Sequence, residues 1–115
     1  MYEFKVLAVD DEPHVLESID RTLREITEYR VEVYKASNAT AALRLIGESR
    51  MDLVISDIEM PGMDGLTMTR TIREKWPQCK IALLTAFASF KYAYEAIAQN
   101  VDAYILKTES KASML

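Results

Sequence analysis

The run Leu53-Val54-Ile55-Ser56-Asp57 constrains this chain more than any other stretch. It is too short for a helix and is bounded by turn residues, so it reads as a strand buried on both faces. Such strands belong to parallel sheets, where helices cover both sides. Asp57 stands at the C-terminal tip, the edge where open α/β sheets bind their ligands. After it comes Ile58-Glu59-Met60-Pro61-Gly62-Met63-Asp64-Gly65. Pro61 biases Met60 toward extended backbone, and Gly62 and Gly65 accept turns that other residues resist. Asp64 is placed to cap a helix that begins near Gly65. Taken alone, Asp57 reads most simply as a turn former after a strand. The rest of the chain argues for more.

Residues 4–9 form a mostly apolar strand that ends in Asp10-Asp11-Glu12-Pro13. Pro13 suits a first helical position, where its missing N–H costs nothing. Val15, Leu16, Ile19, Leu23 and Ile26 recur at helical spacing, which predicts an amphipathic helix over residues 13–27. Residues 29–36 alternate, and the charges at Arg30, Glu32 and Lys35 fit a strand at a sheet edge. Asn38 is a plausible cap for a second helix reaching about residue 49. A third helix is expected over residues 66–75, with Met68, Ile72 and Trp76 on one face and Pro77 ending it. Residues 80–85 read as a fourth strand, residues 90–99 as a fourth helix with Ala93, Ala96 and Ile97 inward, and residues 103–106 as a fifth strand. Only the first turn of a fifth helix follows.

Strands alternating with helical patterns imply parallel pairing through right-handed crossovers. The expected fold is therefore α/β: a flavodoxin-like, doubly wound, five-stranded parallel sheet of order 2-1-3-4-5, its last helix cut short. That order puts the charged second strand at the rim. All 115 residues fit one domain, and half of them are hydrophobic, enough for one core. The net charge of −4 gives no basic footprint for nucleic acid. No apolar run approaches membrane-spanning length, and the N-terminus lacks the apolar core of a signal peptide. Cys79 is the one cysteine, which suits a reducing compartment and a cytoplasmic location.

In a parallel sheet the strand tips share one edge. Asp10 and Asp11 close the first strand, Asp57 the third, Thr85 the fourth, and Lys107 the fifth. Each has a plainer explanation. Asp10 or Asp11 could cap the first helix, Thr85 could be an ordinary strand residue, and Lys107 a solvated lysine. Their convergence on one edge is what argues for a site. Crowded carboxylates raise one another's pKa values unless a cation intervenes, and oxygen ligands with several retained waters suit Mg²⁺. A carboxylate can attack phosphorus to give an acyl phosphate, a step that needs positioning and charge neutralisation. His14, with no second histidine or cysteine cluster, does not make a zinc site.

Four segments, Val9-Asp10-Asp11-Glu12-Pro13, Asp57 to Gly65, Leu84-Thr85-Ala86 and Asp102-Ala103-Tyr104-Ile105-Leu106-Lys107, resemble the receiver domains of two-component response regulators. The resemblance spans the whole chain. It implies that Asp57 accepts a phosphoryl group from a sensor histidine kinase in a Mg²⁺- or Mn²⁺-dependent reaction, without turnover as an enzyme. Asp10, Asp11, Asp57 and the backbone carbonyl of Glu59 would hold the metal. Lys107 and Thr85 would contact phosphoryl oxygens, helped by N–H groups near Ile58 and Ala86. Thr85 and Tyr104 would form the switch, with the fourth helix and fifth strand as the output face. A homodimer through the face made by helix 4, strand 5 and helix 5 is a further implication, with DNA bound only through an output domain beyond this chain. The run 85–97 is similar to receivers joined to AraC-type DNA-binding domains.

Two features depart from the family pattern. Thr108 replaces the proline that usually follows the lysine in a cis bond. A cis bond before a non-proline residue costs about 2.5–4 kcal/mol, against ~0.5–1 for proline, so a trans bond is expected there. The fifth helix is also incomplete, which would expose apolar surface. Glu59 and Phe87, each two residues past a site residue, are candidates for tuning acyl-phosphate lifetime. Two other readings fit less well. Aspartyl phosphohydrolases of the haloacid-dehalogenase class place paired acids two apart, not adjacent. A flavin phosphate needs a first loop rich in free N–H groups, and Asp10-Asp11-Glu12 would repel it.

Overall fold

The computed structural model describes residues 3–27, 29–85 and 101–106. Within them lie strands β1 (Glu3–Val9), β2 (Arg30–Ala36), β3 (Leu53–Asp57), β4 (Lys80–Thr85) and β5 (Ala103–Leu106). Three helices accompany them: α1 (Pro13–Arg24), α2 (Ala39–Glu48) and α3 (Gly65–Lys75). The strands form one parallel sheet in the order β2-β1-β3-β4-β5, as the strand pattern predicts. The expected fourth helix, the start of the fifth, Phe87, Lys107 and the Lys107–Thr108 bond lie outside the described residues.

β3 is central, and Val54, Ile55 and Ser56 are buried, as a strand covered on both faces requires. The sheet separates two cores. On one side Leu7, Val9, Val54, Ile81 and Leu83 pack with Ile46 of α2 and with Leu66, Met68 and Ile72 of α3. On the other, Val6, Ala8, Ile55 and Leu84 pack with Leu16, Ile19 and Leu23 of α1. Each face therefore comes from alternate residues of the same strands. β2 at the rim is only partly covered, which its alternating charges allow.

The helix ends show where local chemistry differs from the pattern. Pro13 stands in the first turn of α1, with Glu12 as the N-cap residue. Asp11 thus precedes the cap and does not serve as one. Instead Asp10 Oδ1 accepts the Glu12 N–H at 2.9 Å. α1 ends at Arg24 rather than residue 27 because its last turn tightens. The N–H of Glu25 bonds to Thr22 O at 3.3 Å and that of Ile26 to Leu23 O at 3.2 Å, each three residues back. Asn38 caps α2 through the Ala41 N–H, and Asp64 caps α3 through the Thr67 N–H, each at 2.8 Å. α3 begins at Gly65, where the Asp64 cap places its start. Trp76 is its C-cap, and the indole N–H donates to Ile46 O at 3.0 Å, fastening the end of α3 to α2.

Candidate functional site

The sheet register places the strand ends with little stagger. Val9 pairs with Ser56, so Asp10 and Asp57 each come one residue later on neighbouring strands. Asp57 pairs with Leu84, so Thr85 is one step past it, and Thr85 in turn pairs with Leu106. Asp10, Asp57 and Thr85 are thus gathered at the C-terminal edge of three adjacent strands. They are 0%, 5% and 0% exposed, unusual for two carboxylates at strand tips.

Backbone groups fix these side chains. The Asp10 N–H donates to Ala36 O at 3.1 Å, tying the acid to the end of β2. Its Oδ1 is held by the Glu12 N–H. Asp57 Oδ1 accepts the Glu59 N–H at 3.3 Å, a turn in which the carboxylate reaches two residues ahead. The Ile58 N–H donates to Leu84 O at 3.0 Å, so β4 holds the chain where it leaves β3. Gly62, in the loop that follows, has a φ of 84°. That is the left-handed region that glycine enters without strain.

Carboxylate oxygens of Asp10, Asp11 and Glu12 lie within 4.8 Å of one another. This is an all-oxygen donor set with one buried member and two exposed ones. Its chemistry fits a hard divalent cation that keeps several waters, such as Mg²⁺ or Mn²⁺. Asp57 is not one of the three acids in this group. Glu12 is, and sequence reasoning assigned it no metal role; its adjacency to Asp10-Asp11 was the available signal. Glu59 is exposed beside the site, its N–H engaged with Asp57. Tyr104 lies on β5 opposite Leu83, two positions before Leu106. Lys107, the next residue after Leu106, is outside the described part of the chain.

The family described as response regulator receiver domain matches residues 6–115. The chain belongs to that family. Among curated relatives of this receiver domain is the response regulator protein VraR of Staphylococcus aureus. It is 37% identical over 106 residues, which make up 92% of this chain and 50% of the relative. The chain spans about half the length of the curated relatives it matches. Among solved structures, a LuxR-family DNA-binding response regulator from Staphylococcus aureus superposes with a TM-score of 0.84 at 29% identity, covering 96% of this chain and 92% of that one. The chemotaxis protein CheY4 of Vibrio cholerae gives 0.84 at 28% identity, with 97% and 92% covered. No helix among the described residues of this receiver domain is long and apolar enough to cross a membrane.

Proposed function

We propose that this receiver domain takes a phosphoryl group onto Asp57 from a phosphohistidine of a sensor histidine kinase. The observation that carries the reading is the shared edge: Asp57, 5% exposed, stands in register between Asp10 on one side and Thr85 on the other. An Asp57 carboxylate oxygen attacks phosphorus and forms the new O–P bond as the donor's N–P bond breaks. The leaving imidazole departs with the bonding electron pair and a proton from solvent. The Glu59 N–H, bonded to Oδ1 of Asp57, orients the carboxylate for that attack. A divalent cation held by Asp10, Asp11, Asp57 and the Glu59 carbonyl would neutralise charge between the carboxylate and the phosphoryl oxygens. Lys107 and Thr85 bind those oxygens, and contacts made only in the phosphorylated state draw Thr85 and Tyr104 into a second conformation. The domain is a switch, not a turnover enzyme. It works in the cytoplasm on transcription, through a DNA-binding domain beyond this chain and a dimer formed on the output face.

The test uses Mg²⁺ and acetyl phosphate, with intact mass read for the wild type and Asp57→Asn. One phosphoryl added to wild type alone, and lost with EDTA present, supports the reading. No adduct on folded wild type overturns it. Release of inorganic phosphate from small phosphoesters over many turnovers would favour a phosphohydrolase instead.

A further inference from the structure

Gly65, the first residue of α3, has no room for a side chain. A β-carbon there would lie 2.1 Å from the backbone oxygen of Asp57, 3.0 Å from its carbonyl carbon and 3.0 Å from the α-carbon of Ile58. All three are backbone atoms, so no change of rotamer relieves the clash. Space is what the position demands: Gly62 is the glycine with positive φ in the described residues, and Gly65 is not.

The contact is held from both sides. The Gly65 N–H donates to Ile58 O at 2.8 Å. The Gly65 carbonyl accepts the hydroxyl of Thr69, itself 1% exposed, at 2.8 Å. Opposite, the Ser56 hydroxyl donates to Asp57 O at 2.9 Å. The peptide that follows Asp57 is therefore gripped between its own sheet and the first turn of α3.

We propose that Gly65 is a positioning residue for Asp57, and that the first turn of α3, tied down by Thr69, is the stop that sets where the acceptor carboxylate stands relative to Asp10 and Asp11. This rests on the phosphoacceptor reading above. A side chain at position 65 must push apart α3 and the end of β3. The carboxylate then leaves the line of attack on phosphorus, and a displacement of about 1 Å in such a geometry costs on the order of 10²-fold in rate.

The experiment measures the rate of acetyl-phosphate labelling at saturating Mg²⁺, the Mg²⁺ concentration giving half that rate, and the melting temperature. The variants are Gly65→Ala, Thr69→Val, Gly47→Ala and Ile72→Val. Gly47 has nothing within 4 Å of its would-be β-carbon and serves as the glycine control. Ile72 is fully buried on α3 and serves as the stability control. Gly65→Ala should lose about 10²-fold of the saturated rate, and Thr69→Val about tenfold. Gly47→Ala and Ile72→Val should keep the wild-type rate, Ile72→Val with a lower melting temperature. A folded Gly65→Ala within about twofold of wild type overturns the proposal. If Gly65→Ala does not fold, Thr69→Val decides: folded with the wild-type rate, it overturns the proposal. A wild type that takes no phosphoryl group strikes the phosphoacceptor reading instead, so the two failures are told apart.

Discussion

Asp102, just ahead of β5, reaches back to Arg73 near the end of α3, with guanidinium and carboxylate 2.6 Å apart. The same carboxylate oxygen accepts the Ile81 N–H at 2.8 Å, while the Asp102 N–H donates to Ile81 O at 2.8 Å. One side chain thus extends the β4–β5 ladder and pins α3 to it. Asp102→Ala removes the acceptor of a backbone N–H and should destabilise by about 1–3 kcal/mol. Asp102→Asn keeps an oxygen for Ile81 and should cost less. Urea unfolding of both variants checks the order, and equal losses would refute it.

Cys79 is 3% exposed, and burial pushes its thiol up to about 11, with the nearby Arg73 only partly opposing. The thiolate is the reactive form, so the native thiol should resist alkylation at pH 8 and react once the chain is unfolded. The sign for stability follows. A group that holds its proton more tightly when folded loses stability as pH rises from the unfolded thiol's range toward the folded one. Mass spectrometry after iodoacetamide treatment, with and without guanidinium, measures the protection. Equal labelling in both conditions would count against it.

Much of this arrangement is legible in the sequence, for a physical reason. β3 and β4 are buried on both faces, so their composition is forced and their ends are marked by Asp57 and Thr85. The Asp64 and Asn38 caps are local and readable from spacing. What escaped depends on packing between distant parts of the chain. The apolar period runs on through Ile26, so nothing in it marks the tightened turn that ends α1 at Arg24. Nothing in the helical period marks Asp20 as buried, yet it is 8% exposed, with Lys35 of β2 against it. Gly65 read as a turn residue, and only the fold shows that its need is space against the Asp57 carbonyl.

Asp20 carries the clearest acid dependence. The Lys35 ammonium, 2.7 Å away, holds its carboxyl below the usual range against the opposing effect of burial, with Arg24 assisting. Lys35 is raised in turn, by Asp20 first and Glu17 second. A depressed carboxylate contributes stability that is full above its unfolded pKa, about 3.9, and lost as pH falls through the folded value. The stability gap between wild type and Asp20→Asn should therefore be largest near neutral pH and shrink below about pH 4. Thermal melts across that range test it, and a gap that widens toward pH 3 would refute it.

Two glycines in open space should respond oppositely to the same substitution. A β-carbon at Gly47 or at Gly62 would touch nothing within 4 Å, so packing does not separate them. Backbone does. Gly47 lies in α2, where alanine should stabilise by roughly 0.5–1 kcal/mol through lower unfolded-state entropy and better helix propensity. Gly62 has a φ of 84°, where a β-carbon meets its own backbone, so Gly62→Ala should cost roughly 1 kcal/mol or more. The loop of Gly62 joins Asp57 to α3, so strain there bears on the site as well as on stability. Melting temperatures of the two variants that moved in the same direction would mean that the loop relaxes to a conformation open to any residue.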